Sequence, residues 1–172
     1  MTAVRILGVD PGSRYTGYGL IDSFNGRNVL VAAGRLNVSK GSTAERLLGV
    51  LEGLGEVIAE HNPQESAVEE TFVNRVNAAR ALVLGQARGA AICACAKAGL
   101  DVAEYAAAQV KLAVAGNGRA DKHQVEHMVR VLLNTREKLS PDAADALAVA
   151  LTHAHVRTTR QRTGDALRRA WG

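Results

Sequence analysis

Residues 6–22 read ILGVDPGSRYTGYGLID, two apolar runs separated by Asp10 and a Pro-Gly turn. Apolar runs of this kind on either side of a turn predict two β-strands. Asp10 is the last residue of the first run, where an ionised side chain is costly unless a positive group meets it. Two interpretations follow. Asp10 either caps the turn at Pro11-Gly12, a common role of Asp, or binds a cation or a phosphate-bearing ligand.

The rest of the chain extends these two strands into a larger sheet. Three predicted strands are joined by short turns and two more alternate with helices: 4–10, 16–22, 28–38, 65–70 and 101–106. Apolar residues at helical spacing predict five helices: 43–61, about 75–98, 106–114, 121–134 and 141–155. Three hairpin-linked strands followed by helical crossovers predict an α/β fold, a mixed five-stranded sheet with helices on both faces.

Composition is typical of a folded protein and excludes several other classes. The 172 residues are 47% hydrophobic and 22% charged, which fits one domain with a real core and argues against disorder. No apolar stretch is long enough to span a membrane. The chain starts directly with a strand pattern and shows no secretory leader. Cys93 and Cys95 suit neither a disulfide nor a zinc site. We therefore expect a cytoplasmic protein without membrane association.

The basic charge is concentrated at the end of the chain. The net charge is +4, and five arginines with one aspartate after residue 156 account for all of it. The sequence therefore predicts a neutral domain at 1–156 and a basic C-terminal tail at 157–172. The tail is interpreted either as a flexible basic arm or as a solubilising end.

Four carboxylates occupy the ends of predicted elements. Asp10 and Glu69 end strands, and open sheets place their ligand sites at carboxyl ends of strands. Asp142 and Asp145 begin the last helix and share one face of it. Asp142 is also what a first helical turn favours, whereas Asp145 lies among alanines and should be paired or metal-bound. Strand alternation sends Glu70 to the face opposite Glu69.

This set of carboxylates favours a hard divalent metal ion. Carboxylate oxygens with few His or Cys partners select Mg²⁺ or Mn²⁺. Three or four such groups could hold two ions about 4 Å apart, the arrangement used for in-line displacement at a phosphodiester.

Six motifs occur in an order that resembles one family. They are GVDPGSRYTGYG, AVEETF, LGQARG, QVK, GNGRADKHQVEHMV and DAADALAVALTHAH, spread over about residues 4–156. Together they resemble RuvC, the bacterial crossover junction endonuclease family. The resemblance implies a ribonuclease-H-like fold and a homodimer. It also implies Mg²⁺-dependent, symmetric nicking of two opposed strands of a four-way DNA junction, in recombination and repair.

The resemblance also implies site residues and partners. Asp10, Glu69, Asp142 and Asp145 correspond to the family's catalytic, metal-binding carboxylates. The implied cofactor is two Mg²⁺ ions per site, with Mn²⁺ as a substitute, and the implied product is a nick with 5′-phosphate and 3′-hydroxyl ends. Four further residues correspond to DNA contacts: Phe72, which would stack on bases, its neighbour Arg75, and the phosphate-facing Lys111 and Lys122. The branch-migration proteins RuvA and RuvB are the implied partners.

Three other interpretations remain open from the sequence. An actin-like or sugar-kinase-like ATPase also follows its first strand with an Asp-Gly turn, but its site lies between two such domains. A DNA-binding relative without catalysis would not need the four carboxylates. A nuclease of the same fold could act on RNA–DNA hybrids. His153 and His155, late in the last helix, are interpreted as packing or surface residues and not as ligands.

Overall fold

The computed structural model describes residues 3–70 and 78–171, and the side chains of 3–70 and 78–164. The strands are β1 (Val4–Asp10), β2 (Tyr15–Phe24), β3 (Arg27–Asn37), β4 (Glu65–Glu69) and β5 (Val102–Tyr105). The helices are α1 (Thr43–His61), α2 (Ala78–Lys97), α3 (Ala107–Ala115), α4 (Lys122–Leu132) and α5 (Pro141–Trp171). Within the described residues, no helix has the length and apolarity needed to cross a membrane.

The predicted end of the last helix, near residue 155, is wrong, since α5 continues to Trp171. No proline follows Pro141 in this stretch. The hydroxyls of Thr158 and Thr159 donate to the carbonyl oxygens of Ala154 and His155, one turn earlier, and so stay within the helix. The segment predicted to be a separate basic tail therefore starts as a continuation of α5.

The sheet is mixed, as predicted, with strand order β3-β2-β1-β4-β5. β1 pairs with β2, and β2 with β3, in antiparallel directions. β4 lies parallel to both β1 and β5. Val9 pairs with Val68 across β1 and β4. The next residues, Asp10 and Glu69, therefore lie side by side at the same edge of the sheet.

Helices cover both faces of the sheet and form two cores. Leu7 and Val9 of β1 are buried against α1 and α2. Ile6, on the opposite face, is buried with residues of α3, α4 and α5. Because side chains alternate along a strand, Asp10 shares its face with Ile6 and points to the side that α5 covers.

Gly8 sets the distance between α5 and β1. A Cβ added at Gly8 would lie 2.1 Å from the carbonyl oxygen of Ala146 and 2.6 Å from the nitrogen of Ala150. Both atoms belong to the backbone of α5, so they can move away only if the helix itself moves. The absence of a side chain here brings the carboxylates of α5 close to the ends of β1 and β4.

Gly8→Ala is expected to destabilise the protein by at least about 1–3 kcal/mol, because α5 must shift away from β1. Chemical denaturation followed by circular dichroism measures this. Gly55→Ala is the control: a Cβ at Gly55 of α1 meets no atom within 4 Å, so this substitution should raise stability by up to about 1 kcal/mol. Equal effects of the two substitutions would contradict the packing argument.

Candidate active site

Two strand ends and one helix start bring four carboxylates to one edge of the sheet. Asp10 ends β1, Glu69 ends β4, and Asp142 and Asp145 lie in the first two turns of α5. Gly17 of β2 lets α5 begin here, since a Cβ at Gly17 would lie 2.0 Å from the carbonyl oxygen of Asp142. All four carboxylates predicted from the sequence are thus brought together.

All four carboxylates are half-buried, and the electrostatics of Asp10 and Glu69 are unfavourable. Burial raises the pKa of Asp10 from its ordinary value of 3.8 to about 7, and the charges of Glu69, Asp145 and Asp142 add to this. Burial, with the charge of Asp145, likewise raises the pKa of Glu69 to about 7. The site therefore concentrates negative charge, which the nearby charges of Lys122 and Lys111 offset only in part.

The two carboxylates of α5 are each paired with a cation. Lys122 Nζ lies 3.3 Å from Asp145 Oδ2, and the charge of Asp145, with this hydrogen bond, raises the pKa of Lys122. Arg35, from β3, places its Nη1 atom 3.3 Å from Asp142 Oδ2. Lys122 was predicted near the site from the sequence, but Arg35 was not.

The carboxylates line two neighbouring clefts that share Asp10 and Glu69. The first cleft, of about 350 Å³, adds Asp142 and is bordered by Arg14, Tyr15, Glu70 and Arg80. The second, of about 280 Å³, adds Asp145 and is bordered by Lys111 and Lys122. Each cleft has carboxylates within and cations at its border, which suits an anionic substrate bound through positive ions.

The turn after β1 is held in place by α1. Arg46 donates from its Nε atom to the carbonyl oxygen of Val38 at 2.9 Å and from its Nη2 atom to that of Ser13. Asp10 accepts no described hydrogen bond from this turn, so the capping interpretation of Asp10 finds no support in the contacts of the described residues.

The donors fit hard divalent ions. The oxygens of four carboxylates are the ligands that Mg²⁺ and Mn²⁺ prefer, and the raised pKa values of Asp10 and Glu69 mark an unmet need for positive charge. Within the described residues, no three His, Cys, Asp or Glu side chains stand close enough to form a ready-made cage. Bound ions would have to draw the carboxylates together against their mutual repulsion.

Asp10→Asn is expected to stabilise the protein in the absence of divalent ions at pH 8. In the folded protein the pKa of Asp10 is about 7 instead of 3.8. Below pH 4 Asp10 is largely protonated in both the folded and the unfolded protein and has little effect on stability. Above pH 4 its ionisation lowers the free energy of unfolding, and this loss reaches its full size above pH 7. The gain from Asn should be on the order of a few kcal/mol at pH 8 and should shrink as pH falls toward 4. Thermal unfolding in EDTA measures it, and an unchanged or lower midpoint at pH 8 would contradict it.

The other predicted site residues fall into three groups. Lys111 and Lys122 border the second cleft, as described above. Phe72 and Arg75 lie outside the described residues. His153 contacts Tyr105 and Glu65 at 2.9 Å each, and His155 contacts the carbonyl oxygen of Ala113 at 3.2 Å. Both side chains thus contact protein atoms, which agrees with the interpretation of them as packing or surface residues.

Comparison with known proteins identifies the family to which the chain is similar. The family model described as crossover junction endodeoxyribonuclease RuvC matches residues 6–153. A protein of that name from Halorhodospira halophila is 58% identical over 156 residues, covering 90% of this chain and 92% of the relative. Another, from Xanthomonas euvesicatoria, is 54% identical over 169 residues, covering 97% of each.

Solved structures agree. The Thermus thermophilus RuvC bound to a Holliday junction substrate superposes with a TM-score of 0.83 at 34% identity, covering 91% of this chain and 96% of that one. The yeast mitochondrial Holliday junction resolvase Ydc2 superposes with a TM-score of 0.67 at 10% identity, a likeness of fold alone. The predicted ribonuclease-H-like fold is confirmed.

Proposed function

This chain belongs to the RuvC family of crossover junction endodeoxyribonucleases, and from that premise we propose that its four-carboxylate site nicks opposed strands of a Holliday junction. The protein is a metal-dependent endonuclease that resolves Holliday junctions in recombination and DNA repair. The observation that supports the site assignment is the convergence of Asp10, Glu69, Asp142 and Asp145 from three elements, with the pKa values of Asp10 and Glu69 raised to about 7.

We propose two Mg²⁺ ions as the cofactor, replaceable by Mn²⁺. When bound, they would activate the attacking water and stabilise the leaving 3′ oxygen, giving 5′-phosphate and 3′-hydroxyl ends. Asp10 and Glu69 line both clefts, so they would hold the ions together with Asp142 of the first cleft and Asp145 of the second. Lys111 and Lys122 at the border of the second cleft orient the strand by its phosphates.

Cleavage of labelled substrates tests this function. The protein is incubated with a four-way junction, a linear duplex and an RNA–DNA hybrid, with and without Mg²⁺. We expect paired nicks in the junction only, and only with the ion. Preferential cleavage of the hybrid would favour the alternative nuclease, and Mg-ATP hydrolysis without DNA cleavage would favour the ATPase.

The roles proposed for Phe72 and Arg75 rest on the family motif alone. Phe72 comes three residues after Glu69 in the motif AVEETF. A stacked aromatic side chain contributes about 1–3 kcal/mol per base, enough to hold bases unpaired at an opened junction centre. Arg75 would supply a polar contact beside it.

We propose a homodimer formed through α2. One face of α2 is buried, with Ala81, Ala87 and Ala91 among its residues. The other face exposes Leu82 at 67% of its surface, and Gly85 and Gly89 there meet no atom within 4 Å. A face of small residues with an exposed leucine suits close packing of a second copy. Two coordinated nicks also need two sites, and each chain has one carboxylate cluster.

Gly89→Gln is expected to convert the dimer into a monomer and to replace paired nicking by slow single nicks. The added side chain points into open space in the isolated chain, so the fold is unaffected, but it blocks a second helix. Gly55→Gln on α1, where space is equally open, is the control. Light scattering gives the mass, and a monomeric wild type with full resolving activity would refute the dimer.

The remaining assignments follow from the proposed activity. We propose that the protein acts in the cytoplasm on chromosomal junctions, and that RuvA and RuvB deliver those junctions to it. Co-migration of the protein with junction-bound RuvA and RuvB, compared with junction alone, tests that partnership.

A further inference from the structure

Arg35 is a positively charged residue at the edge of the carboxylate site, and it lies outside the six family motifs. It lies opposite Gly17 in the β2–β3 ladder, on the face that α5 covers. Its Nη1 atom is 3.3 Å from Asp142 Oδ2, and its guanidinium carbon lies 4.0 Å from the centre of the Tyr15 ring. The Arg35 side chain is 44% exposed, so it faces solvent beside the first cleft.

The contact with Tyr15 orients Arg35 without using its hydrogen-bond donors. The guanidinium carbon of Arg35 lies over the Tyr15 ring and no hydrogen bond joins the two described side chains, so the five N–H groups of Arg35 remain available to other partners. Among the described residues, Asp142 is the one hydrogen-bond partner found for these groups. A planar guanidinium is the side chain best matched to phosphate oxygens.

Asp142 is also one of the proposed metal ligands, so its carboxylate has two competing partners. An exposed ion pair such as Arg35–Asp142 is weak, and a divalent ion displaces it readily. The freed guanidinium, still in contact with Tyr15, which borders the first cleft, would then be available to the bound strand. We propose that Arg35 is a phosphate-binding residue for the junction strand, oriented by Tyr15 and held on Asp142 until a divalent ion takes that carboxylate. This proposal rests on the junction-cleaving function above.

The proposal predicts a contribution of Arg35 to DNA binding that depends on the ion. Junction affinity is measured over a range of salt for wild type and Arg35→Gln, once in EDTA and once with Ca²⁺. With Ca²⁺, we expect Arg35→Gln to weaken binding about tenfold and to reduce the slope of log affinity against log salt by about one. In EDTA the two proteins should differ less than about twofold, since Arg35 is then engaged with Asp142.

Two further variants sharpen the result. Arg27→Gln removes an exposed arginine at the other end of β3 and should match wild type in both buffers. Arg35→Lys keeps the charge but loses the planar fork, so it should restore the salt slope and only part of the affinity. In the free protein, calorimetry should show Ca²⁺ binding about two- to fivefold tighter to Arg35→Gln, because a competing cation is gone.

The outcomes separate this proposal from the function on which it rests. Equal losses for Arg35→Gln with and without Ca²⁺, or none in either buffer, would overturn the role of Arg35 and leave the nuclease assignment intact. A wild-type protein that binds no junction would overturn the nuclease assignment. Unchanged Ca²⁺ affinity of the free variant would overturn the competition for Asp142.

Discussion

Asp10→Asn should reduce junction cleavage by more than about a thousandfold, as removal of a residue at the reacting centre typically does, while junction binding persists. Asn keeps the shape of the side chain and removes the charge that an ion needs. Asp10 lines both clefts, so the substitution impairs both proposed ion positions at once. Single-turnover cleavage gives the rate, and a gel-shift titration gives the affinity.

Binding should persist or tighten slightly, because DNA phosphates then meet one fewer negative charge. Asp101→Asn, which changes an exposed aspartate before β5, is the control and should cleave at the wild-type rate. An Asp10→Asn protein that keeps about a tenth of the wild-type rate would remove Asp10 from the catalytic group. A thousandfold loss of cleavage in Asp10→Asn, together with the stability gain expected at pH 8, would show that the charge of Asp10 serves catalysis at the expense of stability.

The strand pattern predicted that Asp10 and Glu69 lie at one edge of the sheet, and the family resemblance was needed to assign them as metal ligands. Each ends an apolar run, and parallel strands bring such ends to the same edge of a sheet. Asp145 was indicated by its small apolar neighbours, since a charge there needs a partner. Both signals, the end of an apolar run and the small apolar neighbours of a carboxylate, can be recognised from adjacent residues in the sequence.

Arg35 could not be predicted, because its orientation depends on an irregularity in the β2–β3 ladder. Phe24 pairs with Arg27 beside the turn, and regular pairing from there would place Gly34 opposite Gly17. The ladder shifts between Leu20 and Ile21, so Arg35 takes that place and faces α5 instead. One extra residue in a strand reverses which side chains face the site, and nothing in the sequence of β3 marks it.

The length of α5 was missed for a different reason. Beyond residue 156 the chain is polar and basic, so the apolar spacing by which a helix is predicted disappears. Hydrogen bonding along the helix does not need that spacing, and the end of the pattern is therefore not the end of the helix. The apolar periodicity marks where α5 is buried.

Glu69→Gln and Glu70→Gln should differ by about a hundredfold or more in cleavage rate, although the residues are adjacent. Glu69 is the last residue of β4, shares its face with Asp10, and has its pKa raised to about 7 by burial and by Asp145. Glu70 lies just beyond the strand, exposed, at the border of the first cleft. Loss of one ligand charge should cost more than about a hundredfold, since even changes to residues that only support metal ligands cost 10–100-fold.

Glu70→Gln should cost less than about threefold, the scale of one exposed charge near a screened phosphate. The two variants also differ in a readout independent of DNA. Glu69→Gln should raise the thermal midpoint of the metal-free protein at pH 8, because it removes a half-buried charge that lies near other carboxylates, whereas Glu70→Gln should leave it unchanged. Adding Mg²⁺ should then stabilise wild type and Glu70→Gln more than Glu69→Gln. Equal cleavage defects in the two variants would mean that the end of β4 acts through its overall charge, and the assignment of Glu69 as a metal ligand would fall.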